Sequence, residues 1–195
     1  MASAAKTLKR VTLELGGKDP AIVCKSVNIA KTAPQIATLA FLNSGQICTA
    51  LKRIYIHKDI YASFRDAMVA HTKTITVGDG MVAGNFLGPI QNSMQYDRVQ
   101  GFFDEIEKEG QTVAVGGKVA DSSGYFIQPT IIDNPKEDSR LVIEEPFGMS
   151  SQPPALSQKN MDCDMYEMDM RDIREKSEAD TTKPRTHRAH PPLER

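Results

Sequence analysis

Phe41-Leu42-Asn43-Ser44-Gly45-Gln46-Ile47-Cys48-Thr49-Ala50 follows Val11-Thr12-Leu13-Glu14-Leu15-Gly16-Gly17-Lys18 at an interval that decides how the whole chain is read. From Glu14 to Cys48 is 34 residues, room for the chain to leave a sheet, pass through a short strand and a helix, and return to the same end of the structure. A thiol and a carboxylate can therefore meet in space. A cysteine that acts as a nucleophile has to be deprotonated, positioned and accessible, and a nearby carboxylate can serve as the base for a later hydrolytic step.

Working outward, residues 11–15 read as a strand ending at the Gly16-Gly17 turn, and residues 21–24 as a second, fully apolar strand of the buried parallel type. Both read as internal. Residues 28–43 have helical character, with Ile36, Leu39 and Ala40 on a shared face, Pro34 dividing the stretch in two and Gly45 ending it. Residues 53–57 are β-branched and aromatic, and a helix over about residues 59–75 carries Ile60, Phe64, Met68, His71 and Ile75 along one side. The glycine-rich residues 77–91 are expected to be a surface connection that carries function. After a cap at Asn92 or Ser93, Val99, Phe102, Phe103 and Ile106 form the stripe of a helix packed on a sheet. Residues 111–115, closed by Gly116-Gly117, are the next strand, and residues 125–132 another extended segment. Strands alternating with helices predict an α/β fold, a parallel-type sheet with flanking helices, whose ligand crevice lies at the carboxyl ends of the strands.

A chain of 195 residues with 40% hydrophobic content holds one ordinary domain with a sizeable core. The formal net charge of −1 offers no basic patch, so neither nucleic acid nor an anionic membrane surface is expected as a partner. The first ten residues lack the apolar stretch of a secretory signal and no apolar run approaches a membrane span, so a cytoplasmic location is expected. Cys24, Cys48 and Cys163 form no CxxC pair and have no histidine at ligand spacing, which indicates neither a disulfide framework nor a metal site. Residues 149–195 contain no Val, Phe or Gly and have little to bury. That stretch reads as a disordered tail, in which only residues 161–176 have the makings of a helix.

Each candidate has a plainer reading. Cysteine is often a small apolar filler, which suits Cys24 in its apolar strand. Cys48 differs, because it follows Gly45-Gln46 at a helix end, where glycine lets the backbone turn sharply and approach a ligand. Glu14 alone reads as a solvated carboxylate or the partner of Lys18. Between Leu13 and Leu15 in a buried strand it would need a polar cavity, and a glutamate held there tends toward a raised pKa suited to base catalysis. His57 and His71 read as packed or surface histidines, and neither is assigned as a base.

Five segments occur in order: Glu14-Leu15-Gly16-Gly17-Lys18, Gly45-Gln46-Ile47-Cys48, Leu87-Gly88-Pro89, Gly124-Tyr125-Phe126-Ile127-Gln128-Pro129-Thr130 and Ile143-Glu144-Glu145-Pro146-Phe147-Gly148. Together they resemble the aldehyde dehydrogenase superfamily over about residues 11–148. The resemblance implies oxidation of a small-molecule aldehyde to a carboxylic acid with NAD or NADP. Cys48 would attack the carbonyl and carry the acyl group as a thioester, Glu14 would activate water to release it, and the Cys48 N–H would form half of an oxyanion hole. It also implies that Glu145 binds the nicotinamide ribose, that Phe147 lies beside the nicotinamide end, and that Leu15 and Gly16 adjoin the coenzyme. Other parts of the family pattern are absent from this sequence. These are a Pro-Trp-Asn-type motif, since the chain has no tryptophan, a Rossmann-type coenzyme domain, and the strand sequence expected after Pro-Phe-Gly. The expectation is a partial catalytic domain over residues 1–148, truncated at both ends, followed by a non-family tail over 149–195. Exposed sheet edges would then favour homo- or hetero-oligomers. A second reading stays open at this point: a catalytically inactive fragment that acts as an interaction partner.

Overall fold

Leu51–His57 alternates so that Lys52, Ile54 and Ile56 point inward, and the sheet is assembled around this strand. The computed structural model describes residues 1–117, 123–148 and 155–159, all within one compact unit. In chain order the elements are α1 (Ala2–Ala5), β1 (Asp19–Val23), α2 (Ile29–Phe41), β2 (Leu51–His57), α3 (Tyr61–Thr72), α4 (Ser93–Lys108), β3 (Val113–Val115), β4 (Ile131–Asp133), α5 (Arg140–Ile143) and β5 (Ala155–Lys159). Short 3-10 turns at Leu42–Gly45 and Lys58–Ile60 flank β2. The sheet has the order β1-β2-β5-β4-β3, with β1, β2, β5 and β4 parallel and β3 antiparallel to β4. This is the α/β architecture expected from the alternating pattern.

Two apolar clusters cover the two faces. Ile131 belongs to a cluster with Phe41, Ile54, Phe64 and Met68 under α2 and α3, whereas its neighbour Ile132 belongs to one with Val99, Phe102 and Ile106 under α4. Successive strand residues point to opposite faces, so the sheet lies between two helical layers. The Asn92 cap and the stripe expected for α4 are present, with the Asn92 side chain accepting from Gln95 N and all four stripe residues buried.

Several expectations are corrected. Residues 11–15 belong to no strand among the described residues, and Leu13 and Leu15 are 52% and 83% exposed. Alternating apolar character makes a strand only where a neighbour offers a hydrogen-bonding edge. The second expected strand exists as β1, yet it is an edge strand rather than an internal one, with β2 as its sheet neighbour and Ile22 47% exposed. Pro34 does not divide its helix. α2 runs unbroken through it from an Asn28 cap, and it buries Ala33, Ala37, Ala40 and Phe41 while Leu39 is exposed. The small alanines let the helix lie close to its neighbours, which outweighs the larger side chains on the other face.

The largest correction lies beyond residue 148. Part of the expected tail, β5, occupies the centre of the sheet, with Arg53 to His57 of β2 aligned with Ala155 to Lys159 and Ile132 aligned with Ala155. Leu156 is fully buried, and its carbonyl accepts from Asn134 N at 2.7 Å and from the Tyr61 hydroxyl at 3.1 Å. A strand of modest composition is held here because backbone groups on both sides require partners. The remainder of 149–195, including the helix expected over 161–176 and Cys163, lies outside the described residues. Leu156→Ala should lower unfolding stability by about 2–5 kcal/mol, the range for emptying a buried leucine site. Urea denaturation measures it, and an unchanged midpoint would mean that β5 does not hold the sheet. Among the described residues no helix is long and apolar enough to cross a membrane.

Candidate active site

Three loops enter three neighbouring parallel strands from the same side. The loop before β1 carries Glu14, Leu15 and Gly16, the loop before β2 carries Cys48, and the segment between α5 and β5 carries Glu145 and Phe147. All six line one cleft of about 470 Å³, together with Gln95 and Arg98 from the first turns of α4. The crevice was expected at the carboxyl ends of the strands and lies instead at their amino ends. The carboxyl-end rule describes ligands seated where strands feed into helices, and in this chain the chemical groups sit on the loops that lead into the strands.

Glycines set the spacing. Gly17 packs so tightly that a Cβ there would overlap the Cys48 carbonyl oxygen, and a Cβ on Gly16, whose φ is +76°, would overlap Glu145 Oε2. Gly45, with φ +71°, leaves an ideal Cβ position only 2.8 Å from Lys52 Nζ and 2.9 Å from the Gly148 carbonyl oxygen. The approaches of Gly17 to Cys48, Gly16 to Glu145 and Gly45 to Gly148 each join two of the three loops. The turn before Cys48 also holds Asn43 and Ser44 at left-handed φ of 52° and 57°, conformations that persist only when their surroundings enforce them. Ser44 Oγ donates to the Gly88 carbonyl at 2.8 Å, and Gln46 Oε1 accepts from Gln91 N at 2.8 Å. The glycine-rich connection over 77–91 thus clasps the cysteine turn, which gives the Leu87-Gly88-Pro89 segment a physical task.

Cys48 is half-buried at the cleft. Glu14 is exposed, on a loop rather than in a buried strand, and its Oε1 accepts from Gly16 N at 3.0 Å. The polar cavity expected around Glu14 is therefore missing. Glu145 is the better enclosed carboxylate. Its Oε1 is buried with no hydrogen-bond partner among the described residues, whereas its main chain is anchored by Arg98 Nη2 at 3.1 Å. Gln95 Nε2 donates to the carbonyls of Pro146 and, at 2.9 Å, of Phe147, which adopts a left-handed φ of 57°.

Two lysines lie behind the cleft. Lys18 Nζ donates to the Leu141 carbonyl at 2.6 Å and the Glu144 carbonyl at 2.8 Å. Burial, and after it the Arg53 charge, lowers its pKa to about 7, against the carboxylates of Glu145 and Glu144. Lys52 is 1% exposed and donates to the Ala40 carbonyl at 2.8 Å, satisfying a carbonyl of the last turn of α2. Burial, followed by the Lys18 charge, brings its pKa to about 7 as well, with Glu145 opposing. Neither lysine was singled out as a site residue, and nor were Gln95 and Arg98. Their i, i+3 spacing after the Asn92 cap was the available signal, since it sets both on one face of the helix. His57 and His71 lie away from the cleft, bonded to Asp59 N at 3.2 Å and to Thr38 Oγ1 at 3.0 Å.

The sequence pattern that defines the Aldehyde dehydrogenase family matches residues 1–149. The chain belongs to the aldehyde dehydrogenase family. It is 42% identical over 149 residues to the mitochondrial aldehyde dehydrogenase of Leishmania tarentolae, which is 76% of this chain and 30% of that protein. Against the chloroplastic betaine aldehyde dehydrogenase of Beta vulgaris it is 41% identical over 150 residues, again 76% of this chain and 30% of the other. The chain thus spans about 30% of the length of these aldehyde dehydrogenases. In shape it is similar to aldehyde dehydrogenase C of Pseudomonas syringae, solved as a variant with NAD+ and octanal. That likeness has a TM-score of 0.76 and 31% identity, and covers 82% of this chain and 33% of the other. The Mycobacterium tuberculosis aldehyde dehydrogenase solved with NAD+ gives a TM-score of 0.76 at 28% identity, over 86% and 34% of the two chains.

Proposed function

We propose that this chain supplies the thiol, the base and the ribose-binding carboxylate of an enzyme that oxidises a small-molecule aldehyde to the carboxylic acid with NAD or NADP. The observation that carries the reading is the convergence of Glu14, Leu15, Gly16, Cys48, Glu145 and Phe147, from three separate loops, on one cleft. Residues 1–148, completed by β5, are assigned to the catalytic domain. Association through the open edge of β1 belongs to the same proposal, supported by the exposure of Ile22 there.

The residues fit the coenzyme. The buried, unpartnered Glu145 Oε1 is an acceptor that a ribose hydroxyl would satisfy, Gly16 leaves the carboxylate its space, and Phe147 offers an apolar ring at the cleft. When bound, NAD(P)+ accepts the hydride that leaves the substrate carbon. Everything else falls to the chain. The Cys48 thiolate adds to the aldehyde carbon, forming a C–S bond while the carbonyl electron pair moves to oxygen, where the Cys48 N–H can stabilise it. Departure of the hydride leaves a thioester on Cys48. Glu14, exposed to water at the cleft, takes a proton from a water molecule as its oxygen attacks the thioester carbon. Collapse of that adduct breaks the C–S bond, giving the acid and the free Cys48 thiolate.

Calorimetric titration with NAD+ and NADP+ tests the reading. Binding of either at micromolar concentration, weakened about ten-fold or more on Glu145→Gln, is the expected result. Failure of both coenzymes to bind at millimolar concentration would overturn the assignment.

A further inference from the structure

We propose that Lys18 is a positioning residue that fixes Glu145 in the cleft, joining the loop of the base to the segment of the ribose-binding carboxylate. The inference rests on the coenzyme reading above and extends it to a residue that does not line the cleft. The segment between α5 and β5 has no regular structure at Glu145, Pro146 and Phe147, so its path depends on side chains from elsewhere. Five of its carbonyls, counting the end of α5, are held in this way. Gln95 and Arg98 of α4 grip the carbonyls of Glu145, Pro146 and Phe147, and among the described contacts Lys18 is the side chain that grips those of Leu141 and Glu144.

Lys18 is itself anchored. Its carbonyl accepts from Arg53 Nε of β2 at 2.7 Å, so a pull on Glu144 is transmitted to the sheet. Two residues before it, Gly16 lies against the Glu145 carboxylate, and one residue before it, Gly17 lies against the Cys48 carbonyl. The short run from Glu14 to Lys18 therefore touches both other loops of the site, and the Lys18 amine is its only side-chain hold on the Glu145 segment among the described contacts. The charged groups around that amine are Glu144 and Glu145 on the segment and Arg53 and Lys52 on β2. A partly buried amine between two carbonyls and two carboxylates is suited to hold a backbone, since its several N–H donors reach two carbonyls of the segment at once.

The test is a double-mutant cycle on the full chain, read as the dissociation constant of NAD+ by calorimetry. Lys18→Met and Glu145→Gln should each weaken binding about ten-fold or more, and the double variant should bind no worse than Glu145→Gln alone, because Lys18 acts through Glu145. Lys18→Arg, which keeps the charge and the donors, should recover most of the loss. A thermal melt establishes that each variant is folded, and Lys18→Gln replaces Lys18→Met if the latter is not. Multiplying losses in the double variant, an unchanged constant for the single Lys18 variants, or no recovery with arginine would overturn the inference alone. Absence of NAD+ binding by the unmodified chain would overturn the coenzyme reading and this inference with it.

Discussion

Cys48→Ala should abolish rapid alkylation of the 41–50 segment by iodoacetamide and acylation by an activated ester, while leaving the unfolding midpoint close to that of the parent chain. The side chain is half-buried and alanine preserves the backbone turn, so little packing is lost. The chemical loss is large because no other thiol among the described residues lines the cleft: Cys24 follows β1 at its far end. Where turnover proceeds through a covalent adduct, deleting the nucleophile costs at least ~10³-fold, and far more where the residues act as a unit. Peptide mapping by mass spectrometry after timed labelling assigns the modified cysteine. Equal alkylation rates for Cys48 in native and denatured chain would remove the basis for calling it a nucleophile.

Gly17→Ala should be nearly as damaging, although it deletes no chemical group. The added methyl meets the Cys48 carbonyl oxygen, a backbone atom that cannot rotate away, so the two loops must part by about an ångström. A displacement of that size between reacting groups costs on the order of 10²-fold in rate. We expect ester acylation of Cys48 and release of the acyl group both to fall by that order. Gly101→Ala on α4 is the control, because its Cβ position is open and alanine is the better helix former. If Gly17→Ala reacts like the control, the close contact does not set the geometry of the site.

How far the sequence could be read depended on what holds each element in place. Where a helix is fixed by its own apolar stripe, as Val99, Phe102, Phe103 and Ile106 fix α4, the pattern was sufficient. The meeting of Glu14 with Cys48 was likewise legible, because one strand and one helix of crossover must return the chain to the same end of a parallel sheet. Elements fixed by a partner were harder. Leu13 and Leu15 look like strand residues but find no edge to join, whereas β5 looks unpromising and is secured from both sides by β2 and β4. Lys18 and Lys52 were hidden for a related reason. A lysine reads as surface, and only the carbonyls of Glu144 and Ala40 reveal why these two are drawn inward.

The entry of all three site loops at the amino ends of β1, β2 and β5 divides the molecule into a working rim and an idle one. At the opposite rim the chain leaves β1 through residues 24–28 and leaves β2 through the turn at Lys58–Ile60, and neither stretch touches the cleft. Affinity tags, reporter peptides or surface anchors grafted between Cys24 and Asn28 would therefore sit a full strand length from the thiol, making this rim the natural handle for immobilising the protein with its chemistry facing outward.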